Sequence, residues 1–248
     1  NQGIAFSIFS VIFLSALSYG LLIESVFQPD IKQKLQKVKW LILAAPLLFA
    51  LKITFPSKMI CSLFFDEVFI NRWNMPFYWV LNAVWITFSI AVIHRLTEKE
   101  WGLFGFKGKQ PIRLYIILII AMIPLLLLAS QLRVFQEVYP KAQVLGNASL
   151  PDIFIFESSY AVDFFTIELF FRGFLILTLS KALGRHCIIP VALFYFTIHL
   201  GKPMPEAISS FFGGIILGTI SYHSKSIWGG WLVHVSIALL MELFGYLF

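Results

Sequence analysis

Long apolar runs separated by short basic or turn-rich connections set the pattern of this chain. Eight runs stand out, at about residues 4–26, 40–55, 76–95, 112–131, 157–181, 187–200, 206–222 and 227–247. About 20 apolar residues in helical geometry cross the roughly 30 Å of a bilayer's hydrocarbon core. The first run has the length of a signal peptide's apolar core, but it lacks a basic start and a credible cleavage site, so it reads as a helix that stays. The run 187–200 is too short to span, because its 14 residues rise only about 21 Å. Gly201-Lys-Pro-Met-Pro205 follows it directly. Pro203 and Pro205 have no amide proton and cannot sustain a helical ladder. Unpaired backbone at that depth requires protein or a water-filled cavity around it. The expected fold is all-α: a polytopic membrane protein with about eight transmembrane helices, one of them broken near residues 201–205. Within this single membrane domain, residues 1–150 read as scaffold helices and 151–248 as the functional core.

Composition supports the bilayer as solvent. Hydrophobic residues make up 59% of the chain and charged residues 13%, with 27 phenylalanines, against roughly 45–50% and 25% in soluble domains. A water-soluble enzyme, a disordered chain and a fibrous one are excluded. The net charge of +6 sits in the connections and reads as topology, not nucleic-acid binding. With the N-terminus outside, twelve basic residues fall on the cytoplasmic side: Lys32, Lys34, Lys37, Lys39, Arg95, Lys99, Lys107, Lys109, Arg113, Lys181, Arg185 and Lys225. Five fall outside: Lys58, Arg72, Arg133, Lys141 and Lys202. This asymmetry predicts N-out and C-out. Cys61 and Cys187 then lie on opposite sides and read as unpaired packing thiols. Trp101-Gly-Leu-Phe-Gly-Phe106, with Lys107 and Lys109 behind it, is either an interfacial segment or a loop with buried aromatics.

Ionisable groups within apolar runs are costly and mark function by default. They gather in the C-terminal half: Asp163, Glu168 and Arg172 on one run, His199 at the end of the next, His234 and Glu242 on the last. In the first four runs only Glu24 lies well inside a span. Glu168 and Arg172 are four apart and share a helix face, as a structural ion pair or as part of a site. Helix rise puts Glu168 about 20 Å and His199 about 18 Å from the cytoplasmic face, so a carboxylate and an imidazole match in depth on successive helices. His234, about 10 Å deep, is a candidate hydrogen-bond donor to substrate, or a snorkelling side chain. Glu168, His199 and His234 would also make a three-ligand zinc set, though no His-Glu-x-x-His is present; no cofactor is expected. Ser158 and Ser159 read as a helix-start capping pair, and Gly214-x-x-x-Gly218 as a close helix–helix contact.

Ile167-Glu-Leu-Phe-Phe-Arg-Gly173, Tyr195-Phe-Thr-Ile-His199 and Trp231-Leu-Val-His234 resemble, in order, the three motifs of the CAAX-protease and bacteriocin-processing (CPBP, or Abi) family. Those motifs run Glu-Glu-x-x-x-Arg, Phe-x-x-x-His and His-x-x-x-Asn. The resemblance covers about residues 157–240. It implies a glutamic-type intramembrane endopeptidase, in which Glu and His activate water while His and Asn stabilise the oxyanion. Carried over, it assigns catalysis to Glu168, His199 and His234, with Arg172 in support. It also implies a membrane-associated protein or peptide as substrate, the bilayer as surroundings, a bacterial inner membrane, and room for a membrane-protein partner. Three positions depart: the first Glu aligns with Ile167, the closing Asn with Ala238, and the Phe of the second motif with Tyr195. Lys202, Pro203 and Glu206 fit a variant pattern within the family. The alternative is a catalytically inactive CPBP-like scaffold or partner-binding subunit.

Overall fold

A computed structural model describes residues 2–28, 30–97 and 104–247. Among them the regular structure is helical, with no strand: α1 (Gln2–Phe27), α2 (Ile31–Leu35), α3 (Lys39–Ile53), α4 (Ser57–Cys61), α5 (Glu67–Thr97), α6 (Ile112–Ala129), α7 (Arg133–Gln136), α8 (Leu150–Glu168), α9 (Leu177–Leu183), α10 (Ile188–Thr197), α11 (Met204–Ser224) and α12 (Trp228–Leu247). A π-helical segment, Leu169–Ile176, joins α8 to α9 without a break, and 3-10 turns occupy Lys141–Leu145 and Gly184–Cys187. All eight apolar runs are helical. Five of the helices, α1, α5, α6, α11 and α12, are long and apolar enough to cross a membrane. Their outward side chains are apolar too: Ile117, Ile120 and Leu128 on α6 are all more than half exposed, as expected where lipid is the solvent. Trp101, Gly102 and Leu103 of the aromatic-basic stretch lie outside the described residues, and Phe104–Lys107 form a turn.

The helices fall into two compact units. The first comprises residues 1–55, 88–109 and 168–227, and the second residues 56–87, 110–167 and 228–248.

In the first unit α1 packs on α3 and α10. A Cβ on Gly20 would lie 2.5 Å from Pro190 Cα, so α1 and α10 meet backbone to backbone. The core between them is aromatic. Phe49 lies 5.8 Å from Phe13, 4.9 Å from Phe170 and 5.1 Å from Phe171, centroid to centroid. Phe194 is 5.1 Å from both Phe13 and Phe171. Such tilted and edge contacts add about 0.5–1.5 kcal/mol per pair beyond burial. Glu24 is buried as expected, and His186 Nδ1 lies 2.6 Å from its Oε2. It is not the half's only buried charge, however. Lys52, near the end of α3, is 2% exposed with its Nζ 5.6 Å from the Phe49 centroid.

α10 and α11 form an antiparallel hairpin, and the break is real. Gly214 sits against Ala192 and Tyr195, and Gly218 against Ile188; a Cβ at Gly214 would lie 3.2 Å from Ala192 Cβ, a tight contact. The small-residue pair is a packing device, as its spacing predicted. The helix leaves off at Thr197 and resumes at Met204, with Pro203 as N-cap and Pro205 inside the first new turn. Gly201 turns the chain with φ +97°, a conformation other residues adopt at a cost. Cys61 and Cys187 are both buried, unpaired thiols.

In the second unit α6 packs on α12, with Gly229 flush against the Tyr115 ring. One core cluster joins Trp79, Phe156, Tyr160 and Ala238, and another Leu126, Phe135, Tyr139, Met241 and Phe244. Glu242 closes the far end by accepting the backbone N–H groups of Lys141 and Ala142 at 2.9 and 3.1 Å. The start of α8 differs from expectation. The helix begins at Leu150, and Ser159 is mid-helix, its hydroxyl donating to Ile155 O. The cap is Ser149, paired reciprocally with Asp152: the Ser149 N–H and hydroxyl both donate to Asp152 Oδ2, and the Asp152 N–H faces the hydroxyl at 3.4 Å. This is a capping box. It holds the Asp152 carboxyl below its ordinary range, with Arg72 adding to the effect.

Candidate functional site

The first unit brings three of the four sequence-predicted residues into one chain of contacts. Glu168 ends α8, and the next eight residues adopt π geometry. Here each hydrogen-bonded turn holds one residue more than an α turn, a feature that often sits at functional sites. The motif residues Phe170, Phe171, Arg172 and Gly173 all lie in it. Gly173 has a packing reason, since a Cβ there would come 2.7 Å from Phe104 O.

Arg172 Nη1 lies 3.1 Å from Glu168 Oε1, with both side chains essentially removed from solvent. Two opposite charges buried together are tolerable because each neutralises the other. The guanidinium also stacks on Tyr195, its central carbon 4.5 Å from the ring centroid. An Arg–aromatic stack keeps the planar fork oriented. Tyr195 is buried and also meets Phe171 edge-on at 5.1 Å.

His199 completes the chain. Its ring lies 4.8 Å from Tyr195, and its Nδ1 is 3.1 Å from the Tyr195 carbonyl oxygen. The helix break explains this. The His199 amide turns to Phe196 O instead of reaching back four residues, so the Tyr195 carbonyl takes the imidazole in its place. A carbonyl only accepts, so Nδ1 carries the hydrogen, and in the neutral ring the lone pair resides on Nε2. The half-buried imidazole is thereby fixed in the tautomer and orientation of a base. Lys202 and Glu206 pair across the start of α11.

His234 belongs to the second unit. It sits on the face of α12 turned to α8, 5.7 Å from the Phe164 ring, and one turn earlier Trp231 donates its indole N–H to Ala161 O at 2.9 Å. Ala238, where the resembling motif has Asn, lies one turn further along, 4% exposed in the Trp79–Phe156–Tyr160 cluster. That position is packed as core. Asp163 is buried on α8 in the same unit. Among the described residues, neither unit gathers three His, Cys, Asp or Glu side chains in a metal-binding arrangement.

Sequence reading gave no role to Tyr195, Lys52 or His186. Tyr195 was visible, being four before His199 and so on its face. Lys52 resembled an ordinary helix-end cation, and the His186–Glu24 contact joins residues too far apart for any local pattern.

The fold and its buried charges define an all-helical polytopic membrane protein with ionic groups held in its apolar interior. Residues 150–240 match the family model for type II CAAX prenyl endopeptidase Rce1-like proteins. This is the stretch that carries the three motifs, and the match supports membership of the CPBP family. No curated protein and no solved structure shows significant similarity to the chain.

Proposed function

We propose that this chain is an intramembrane endopeptidase that hydrolyses membrane-associated proteins or peptides with a water activated by Glu168 and His199. One observation carries the reading: the Glu168–Arg172–Tyr195–His199 series orders a buried carboxylate and an imidazole base from two successive motifs. Arg172 Nη1, 3.1 Å from Glu168 Oε1, holds the carboxyl group in place as the candidate base. Glu168 takes a proton from water as the water oxygen attacks the scissile carbonyl, and His199 Nε2 accepts a hydrogen bond that orients that water. Glu168 then returns the proton to the amide nitrogen as the C–N bond breaks. The family resemblance gives His234 the part of oxyanion donor. No metal enters this reading, since Arg172 at 3.1 Å already neutralises Glu168 and opposes a second cation there. Orientation in a bacterial inner membrane is N-out and C-out, after the basic residues.

Ile167 and Ala238 favour a second reading, an inactive CPBP-like scaffold or partner-binding subunit. Purified chain and its Glu168→Gln, His199→Ala and Asp163→Asn variants, matched for abundance, separate the two against a library of membrane-anchored peptides read by mass spectrometry. The enzyme reading expects cleavage by the parent and by Asp163→Asn, with losses of at least about 100-fold in the other two. Loss in Asp163→Asn alone names the wrong acid. No cleavage by any, with binding retained, supports the scaffold.

A further inference from the structure

The first unit holds a cavity of about 330 Å³ lined by Phe104, Gly105, Lys107, Gly108, Gly173, Leu177, Thr178, Ser180, Lys181 and Lys225. Its volume is within the range of small-molecule sites, about 300–1,000 Å³. Three lysines and two hydroxyl residues share the lining with an apolar floor of Phe104 and Leu177, and no acidic residue is among them.

Its walls are preformed. Residues 105–109 are tied to 224–227 by Ile227 N–H to Gly105 O at 3.2 Å and Lys109 N–H to Ser224 O at 2.9 Å. Gly108 lies flush on the Lys225 carbonyl, and a Cβ on Gly105 would lie 3.0 Å from Ile227 Cγ2. Among the described residues, the two non-glycines with positive φ are Phe104 (39°) and Lys225 (56°), and both line this cavity. Strained backbone persists where surrounding structure over-determines it, and it clusters at ligand sites. Lys225 Nζ is held 4.4 Å from the Tyr222 ring centroid.

We infer that this cavity binds a phosphate-bearing anion, with Lys107, Lys181 and Lys225 supplying charge, the Thr178 hydroxyl a hydrogen bond, and the apolar floor contacting the attached glycerol or chain. Basic pockets at the ends of membrane helices take anionic headgroups for this reason. The site is separate from the hydrolytic reading, although its wall includes Gly173, next to Arg172.

The test uses the full chain in vesicles and follows amine-reactive labelling of each lysine by mass spectrometry, with Lys32, Lys34 and Lys37 as comparators. Phosphatidylglycerol in a phosphatidylcholine bilayer is expected to slow labelling of Lys107, Lys181 and Lys225 about fivefold more than that of the comparators, corresponding to about 1 kcal/mol per lysine. Protection by the lipid alone makes the ligand a headgroup. Protection by millimolar inorganic phosphate in plain phosphatidylcholine makes it a soluble phosphate, and either outcome supports the site. Protection no greater than at the comparators, under both conditions, overturns it. In native mass spectrometry, Lys107→Gln/Lys181→Gln/Lys225→Gln should lose retained phosphatidylglycerol while Lys32→Gln/Lys34→Gln/Lys37→Gln keeps it. Equal loss in both overturns the proposal.

Discussion

Arg172 serves both partners of the first unit's ionic chain, so its removal should be felt more than that of Glu168. Arg172→Ala leaves a buried carboxylate without its neutralising cation, a loss of about 3–5 kcal/mol. Glu168→Gln leaves a guanidinium still stacked on Tyr195 and should cost less. Thermal unfolding in detergent should rank them in that order; the reverse order would mean that Glu168, not Arg172, organises the site. Arg172→Lys should not rescue, because an ammonium lacks the planar face that stacks on a ring. Ala238 poses the complementary case. Ala238→Asn restores the resembling motif in name, but it puts an amide into the Trp79–Phe156–Tyr160 cluster, at about 1–3 kcal/mol if the amide finds no partner. A lower melting temperature without gain in peptide cleavage is expected; a gain in cleavage would show that position 238 belongs to the chemistry after all.

The hairpin and the capped start of α8 carry the element-scale predictions. Gly214→Leu should force α10 and α11 apart at Ala192 and cost about 1–3 kcal/mol, whereas Gly213→Leu, where a Cβ meets open space, should cost little. Comparable melting temperatures for the two would contradict the close contact. At α8, the Asp152 carboxyl titrates lower in the folded chain than its unfolded value of about 3.9. Its stabilisation is therefore complete above that value and lost as pH falls through the lower, folded one. Melting curves of the parent and Asp152→Asn should differ near neutrality and converge in acid. Some of this was readable beforehand. Two prolines two residues apart announce a break, and Glu-x-x-x-Arg announces a shared face. Ser149-x-x-Asp152 also carries a capping signal, but it precedes the apolar run, and Ser158 and Ser159 at the run's start offer the same residue type. The π segment was not readable, because π and α turns accept the same apolar residues and differ only in which carbonyl each amide reaches. No spacing rule locates His234 against a particular ring either.

For the whole molecule, the distribution of basic residues makes a claim that whole-cell labelling can check. Single cysteines at positions 58 and 141 should react with an impermeant thiol reagent and those at 34 and 107 should not; the inverse pattern would overturn the orientation. The eight apolar runs were legible because lipid demands length and apolarity of every span. How the chain distributes them between two units was not, since both units draw on early and late segments. That interleaving bears on how the protein is made. Phe13 and Phe49 emerge early in synthesis, yet their ring partners Phe170, Phe171 and Phe194 arrive only after more than a hundred further residues. Until then α1 and α3 must wait in the bilayer with an aromatic face open. A chain stopped at residue 150 should accordingly be cleared by membrane proteases or held by the insertion machinery, and supplying residues 151–248 as a separate chain should restore its lifetime.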